Sequence, residues 1–109
     1  MALNAKSCVP CRGGISPMTQ KEAERLLSEV PGWELKKGSA KIEGKFKFPD
    51  FLSALKFVNQ VGKLAETEGH HPDITFGWGY CHILFFTHKI KGLHENDFIM
   101  ASKVNALVK

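Results

Sequence analysis

The alternation of apolar and charged positions is cleanest in "KIEGKFKF", residues 41–48. Ile42, Phe46 and Phe48 fall on one face of an extended chain, and Lys41, Glu43, Lys45 and Lys47 on the other, which predicts a half-buried strand. Together with "WELKKGSA" before it, this segment reads as a hairpin. Helical spacing appears on either side. "TQKE" offers a capping box between Thr19 and Glu22, and Ala23, Leu26, Leu27 and Val30 follow as an inner face. That predicts a helix over 20–29, stopped by Pro31-Gly32. Asp50 is placed to cap a longer helix, in which Phe51, Leu55, Val58 and Ala65 recur at helical spacing, flanked by Leu52, Val61 and Leu64. Gly69 suits the position just past its end, and Pro72 prevents continuation.

A second hairpin is expected over 73–78 and 81–88, turning around Gly77 and Gly79. Its second arm, "CHILFF", is apolar both ways: Ile83 and Phe85 on one face, Leu84 and Phe86 on the other. Such a strand needs cover on both sides, and in a small protein another subunit is the expected second cover. A last helix over 95–107 would turn Phe98, Ala101, Val104 or Asn105, and Val108 inward. The order helix, two strands, helix, two strands, helix predicts an α+β fold, an antiparallel sheet with helices packed on it.

Composition narrows the class. The chain of 109 residues fits one domain, expected over 17–109 behind a flexible N-terminal arm at 1–16. A net charge of +4 is too mild to argue for direct nucleic-acid binding. No apolar run approaches the roughly 20 residues that span a bilayer, and the start "MALNAKSC" lacks a signal-peptide core, so a cytoplasmic location without membrane attachment is expected. Three cysteines argue against a disulfide framework. Cys8 and Cys11 form a C-x-x-C that could bind zinc or act in redox chemistry, but no second such pair supplies the remaining zinc ligands. Cys81 reads as a small core residue.

The candidate chemistry lies in "ETEGHHPDITFGWGYCHILFFTHK", residues 66–89. His70 and His71 are adjacent, and the extended backbone before Pro72 points their side chains apart. His82 and His88 are six positions apart, roughly 20 Å at strand rise. Neither pair has a compact metal-ligand spacing, so no metal is expected. Imidazole does give and take protons near neutrality. His70 and His71 follow a helix end and His88 lies beyond a short hairpin, so an antiparallel layout can bring them together, with Glu66 and Asp97 as nearby carboxylates. Spacing alone leaves this open against three surface or capping histidines.

The composite pattern goes further. Glu66-x3-His70-His71-Pro72-x5-Trp78-x9-His88-x8-Asp97, with "PGW" at 31–33, "FKFPDF" at 46–51 and "GL-x-E-x-D" at 92–97, resembles the pterin-4a-carbinolamine dehydratases across residues 16–108. The resemblance implies a four-stranded antiparallel sheet with helices on one face, and a homodimer or homotetramer. It implies dehydration of a 4a-hydroxytetrahydropterin to the quinonoid dihydropterin, recycling a tetrahydrobiopterin-type cofactor. The substrate is then a small pterin, and elimination of water consumes no cofactor. An aromatic amino acid hydroxylase or a transcription factor is the implied protein partner, and a non-catalytic interaction module on the same scaffold is the alternative. Residue by residue, His70 and His88 resemble the proton-transfer histidines and His71 the one that positions the pterin. Pro72, Thr87, Lys89 and Ile90 would line the ring, Glu66 would support the histidines, Trp33 would add an aromatic wall and Asp97 would anchor the segment behind the site. His94 departs from the Ser or Thr common at that cap, so the start of the last helix is where this chain could differ.

Overall fold

The computed structural model describes residues 3–8, 16–36 and 38–108. Thr19 accepts from the Glu22 amide at 3.2 Å, and the Glu22 carboxylate accepts from the Thr19 amide at 2.9 Å. That capping box starts α1, Gln20–Leu27, which buries Ala23 and Leu26. The helix ends two residues earlier than expected, and Val30 is buried in the turn that follows. β1 (Trp33–Lys36) and β2 (Lys41–Lys47) form the first hairpin. The Asp50 carboxylate accepts from the Ser53 amide at 2.8 Å and opens α2, Phe51–Glu68, which Gly69 closes in the left-handed conformation at φ 69°. β3 (Asp73–Gly77) and β4 (Tyr80–Phe85) form the second hairpin, and α3 spans Glu95–Leu107.

The sheet order is β1-β2-β4-β3, antiparallel throughout, with the helices on one face. Register explains the two faces. Leu35, Ile42 and Phe85 form one row across the sheet; Trp33, Gly44, Ile83 and Ile74 form the next; Phe46, Cys81 and Phe76 form the third. These rows pack under the helices, and Ile42, Cys81, Ile83 and Phe85 are fully buried. The opposite rows run Glu34–Glu43–Leu84–Asp73 and Lys45–His82–Thr75, mostly polar. Phe86 is covered within the chain itself: the Lys41 ammonium lies 4.3 Å from its ring centre and the His88 ring 4.0 Å. The apolar outer face of "CHILFF" is therefore narrower than the alternation suggests, because a lysine stem and an imidazole lie over its end.

Three expectations about faces need correction. α2 buries Ala54, Phe57, Val61 and Ala65, while Phe51 and Leu52 are exposed and Leu55 and Val58 are only half-buried. Phe57 fits between the rings of Phe46 (4.9 Å) and Phe48 (5.1 Å), and small Ala54 lets the helix approach the sheet. Val108 lies past the end of α3 and is exposed. β4 ends at Phe85, and His88 begins a single turn of 3-10 helix, His88–Ile90, instead of closing a strand. Within 1–16, residues 3–8 lie against α3: Leu3 is buried, and Lys6 pairs with Glu95 at 2.7 Å. Among the described residues no helix is long and apolar enough to cross a membrane.

Candidate active site

The Thr87–Gly92 loop closes on itself. The Thr87 amide donates to the Gly92 carbonyl at 2.8 Å, and the Ile90 amide to the Thr87 carbonyl at 3.3 Å. Lys91 takes the left-handed conformation at φ 51°, which carries the chain out of the turn. The loop follows β4, and β3 pairs with β4 from Asp73↔Leu84 onward. Continuing that register backward brings the His70–Pro72 segment beside the end of β4. Two loops far apart in sequence thus meet at one end of the sheet.

A buried carboxylate joins them. Asp97, in the first turn of α3, is fully buried. Its Oδ1 lies 2.6 Å from His70 Nε2, while its Oδ2 accepts from the Thr87 hydroxyl at 2.8 Å and from the His94 amide at 3.0 Å. A buried carboxylate needs this many donors, and the N-terminal turn of a helix adds favourable backbone dipoles. His70 is nearly buried as well, with its side chain 11% exposed and its ring stacked on Phe85 at 5.9 Å and 9°. Nε2 is committed to Asp97, so Nδ1 is the nitrogen left for other chemistry. His71 points the other way, as the extended backbone requires, and its Nε2 pairs with Glu66 in an exposed contact. His88 is exposed, its ring resting on Phe86. Among the described residues each of the three imidazoles has its own partner, and none contacts another.

The remaining expected residues fall into two groups. Thr87 and Ile90 are buried, so their side chains face the protein; Lys89 is exposed and Pro72 half-buried. Trp33, expected as an aromatic wall, is a core residue. Its indole is buried against Phe46 and Phe85, and Nε1 donates to Asn105 Oδ1 at 2.9 Å. It stands behind Phe85, the ring on which His70 stacks, and so supports that surface from within. His94 caps α3 through Nδ1, which accepts from the Asn96 amide at 3.0 Å, so an imidazole fills the place of the usual hydroxyl and the helix starts where expected. The spacing rules missed two members of the cluster: the Thr87 hydroxyl and the His94 amide. Only the "GL-x-E-x-D" interval hinted that the start of α3 approaches the histidines.

Among the described residues, two grooves border this cluster and another lies at the opposite end of the sheet. One of about 850 Å³ runs between α2 and β3, lined by Val58, Gly62, Glu66 and Ile74, so it reaches the carboxylate that holds His71. One of about 410 Å³ lies at the far end of β2, between Phe46, Phe48, Lys56 and Val108. A third, about 400 Å³, lies between Pro17 and Glu95. Cys8 sits between the end of α2 and the start of α3: its amide donates to Glu68 at 2.8 Å and its thiol lies 3.8 Å from the Asn96 carbonyl. Burial, reinforced by the Glu68 charge, pushes its thiol up to about 12, away from the thiolate that metal or redox chemistry uses. Burial likewise raises Cys81 to about 11. Cys11, the other half of the C-x-x-C, lies outside the described residues.

Fold and cluster together define a small α+β domain whose sheet end carries histidines braced by carboxylates. The pterin 4 alpha carbinolamine dehydratase family matches residues 16–107, and the chain belongs to that family. A protein of Methylococcus capsulatus, provisionally named a pterin-4-alpha-carbinolamine dehydratase, is 59% identical over 97% of this chain and 93% of its own. One of Halorhodospira halophila with the same provisional name is 53% identical over 98% of both. The crystal structure of a transcriptional coactivator/pterin dehydratase from Brucella melitensis superposes with a TM-score of 0.81 at 32% identity, covering 86% of this chain and all of that one. A pterin dehydratase-like protein, identified as a RuBisCO assembly factor in the alpha-carboxysome, shares the fold alone: its TM-score is 0.62 at 24% identity, over 72% of this chain and 94% of that one.

Proposed function

We propose that the protein dehydrates a 4a-hydroxytetrahydropterin to the quinonoid dihydropterin, with His70 and His88 transferring protons and His71 positioning the substrate. The reaction removes a proton from N5 and the hydroxyl from C4a, and the two leave as one water. It needs a base and an acid and no change of oxidation state. The observation that carries the reading is the buried Asp97 behind His70. With Nε2–H donated to that carboxylate, Nδ1 presents a lone pair, and His70 accepts the N5 proton. His88, exposed and without a carboxylate partner among the described residues, donates to the departing hydroxyl. Each imidazole is expected to contribute on the order of 10²–10⁴-fold. His71 and Glu66 form an exposed pair, which suits orientation of a ligand more than stability. Thr87, Lys89 and Ile90 offer main chain to the flat ring, and Pro72 offers an apolar edge.

The test is the rate of carbinolamine loss when purified protein is added to a pterin-dependent hydroxylation. A rate no faster than the uncatalysed one rejects the reading. His88→Ala should fold normally, since the ring is exposed, and should lower kcat by about 10²-fold or more. Homo-oligomerisation belongs to the same proposal, and sedimentation giving only the 12.1 kDa protomer would remove that part. A second reading, an interaction module for a transcriptional or metabolic partner, draws on the coactivator and assembly-factor descriptions of the two structural relatives. A stoichiometric partner recovered from the native cell with a catalytically silent protein would favour it.

A further inference from the structure

We infer that Thr87 is a positioning residue for the reaction, acting through its side-chain hydroxyl by holding Asp97 in the orientation that fixes His70; this rests on the dehydratase reading above. The Thr87 side chain cannot line a ligand, because the residue is 2% exposed. Its hydroxyl instead donates to Asp97 Oδ2 at 2.8 Å, the oxygen opposite the one that meets His70. A carboxylate rotates about its Cβ–Cγ bond, and donors on both oxygens stop that rotation. Here the donors come from three elements: the His70 imidazole after α2, the Thr87 hydroxyl after β4 and the His94 amide at the start of α3.

Thr87 also precedes His88 directly and anchors its loop, pairing with Gly92 through the main chain. One residue therefore grips both proposed proton-transfer groups, His70 by hydroxyl and carboxylate, His88 by backbone. Valine has nearly the same shape as threonine and no donor. Thr87→Val thus removes the first grip and leaves the second.

The experiment measures carbinolamine dehydration by wild type, Thr87→Val, Thr87→Ser, His70→Ala and His70→Ala/Thr87→Val, each checked for folding by circular dichroism. Thr87→Val should lower kcat by about tenfold, the scale of one lost hydrogen bond to a charged group, with KM within about twofold. Thr87→Ser, which keeps the hydroxyl, should stay within about threefold of wild type. In the His70→Ala background the valine change should cost less than about twofold further, because residues acting as a unit are not additive. Wild-type kcat in Thr87→Val overturns the inference, as does an equal loss with or without His70, or a serine variant as slow as the valine one. Thr87→Ala, which brings no new group into the site, repeats the test should the valine variant not fold. Failure of the dehydratase reading looks different: wild type itself would then not exceed the uncatalysed rate.

Discussion

At Gly44 a missing side chain is filled by another residue's ring. A β-carbon there would lie 2.7–2.9 Å from three atoms of the Trp33 indole, which crosses from β1 to reach Asn105 on α3. Asn105 in turn donates to the Pro31 carbonyl at 3.1 Å, so the indole is fixed from two sides and cannot retreat cheaply. Gly44→Ala should therefore destabilise the protein by about 1–3 kcal/mol, the range for overpacking a close-packed core. Urea unfolding measures this, and an unchanged midpoint would show that the indole moves freely. The same geometry explains why an expectation for Trp33 failed. A tryptophan before a strand reads equally as a ligand's wall or as core, and only the gap left at Gly44 decides for core.

Among the elements, α1 is the one most dependent on its cap, since eight residues are too few to be stable alone. The Thr19 amide, then the Thr19 hydroxyl, hydrogen-bond the Glu22 carboxylate and hold it below its ordinary 4.5. A carboxylate lowered on folding lends stability that is complete above its unfolded value and disappears as pH falls through the folded one. Acid should therefore loosen the cap only below about 4.5, and Glu22→Gln should lower the melting temperature slightly at neutrality and converge with wild type in acid, which flattens the pH dependence there. An unaltered acid limb in that variant would detach the cap from acid stability. The starts of α1 and α2 were legible in the sequence because caps are local: the donor and acceptor lie three residues apart. The buried face of α2 was less so. Apolar residues occupy more than one side of that helix, and the choice of Ala54 and Phe57 over Phe51 and Leu52 was made by the rings of Phe46 on β2 and Phe48 just past its end.

In the molecule as a whole, β2 and β4 form the centre of the sheet, although α2 and β3 separate them in the chain. Each residue of β4 from Tyr80 to Leu84 has a register partner in both β2 and β3, and Cys81, Ile83 and Phe85 are fully buried beneath the helices. Amide hydrogen exchange should be slowest in β4 and β2 and faster in β1, an edge strand with one neighbour. Equal protection across all four strands would contradict this ranking.

That long-range pairing marks the limit of what neighbours along the chain can specify. Periodicity, caps and turn residues fixed the seven principal elements and their order, and the spacing of Glu66, His70, His71, Trp78, His88 and Asp97 marked the candidate site. All of these are set by neighbours along the chain. Which ring pairs with which carboxylate was not: His70 meets Asp97, 27 residues away, while His71 keeps Glu66, five away. Nor could any local rule place the Thr87 hydroxyl on Asp97 or Trp33 over Gly44. Such contacts depend on β4 lying between β2 and β3 with α3 packed over it, because burial decides them, and burial belongs to the assembled core.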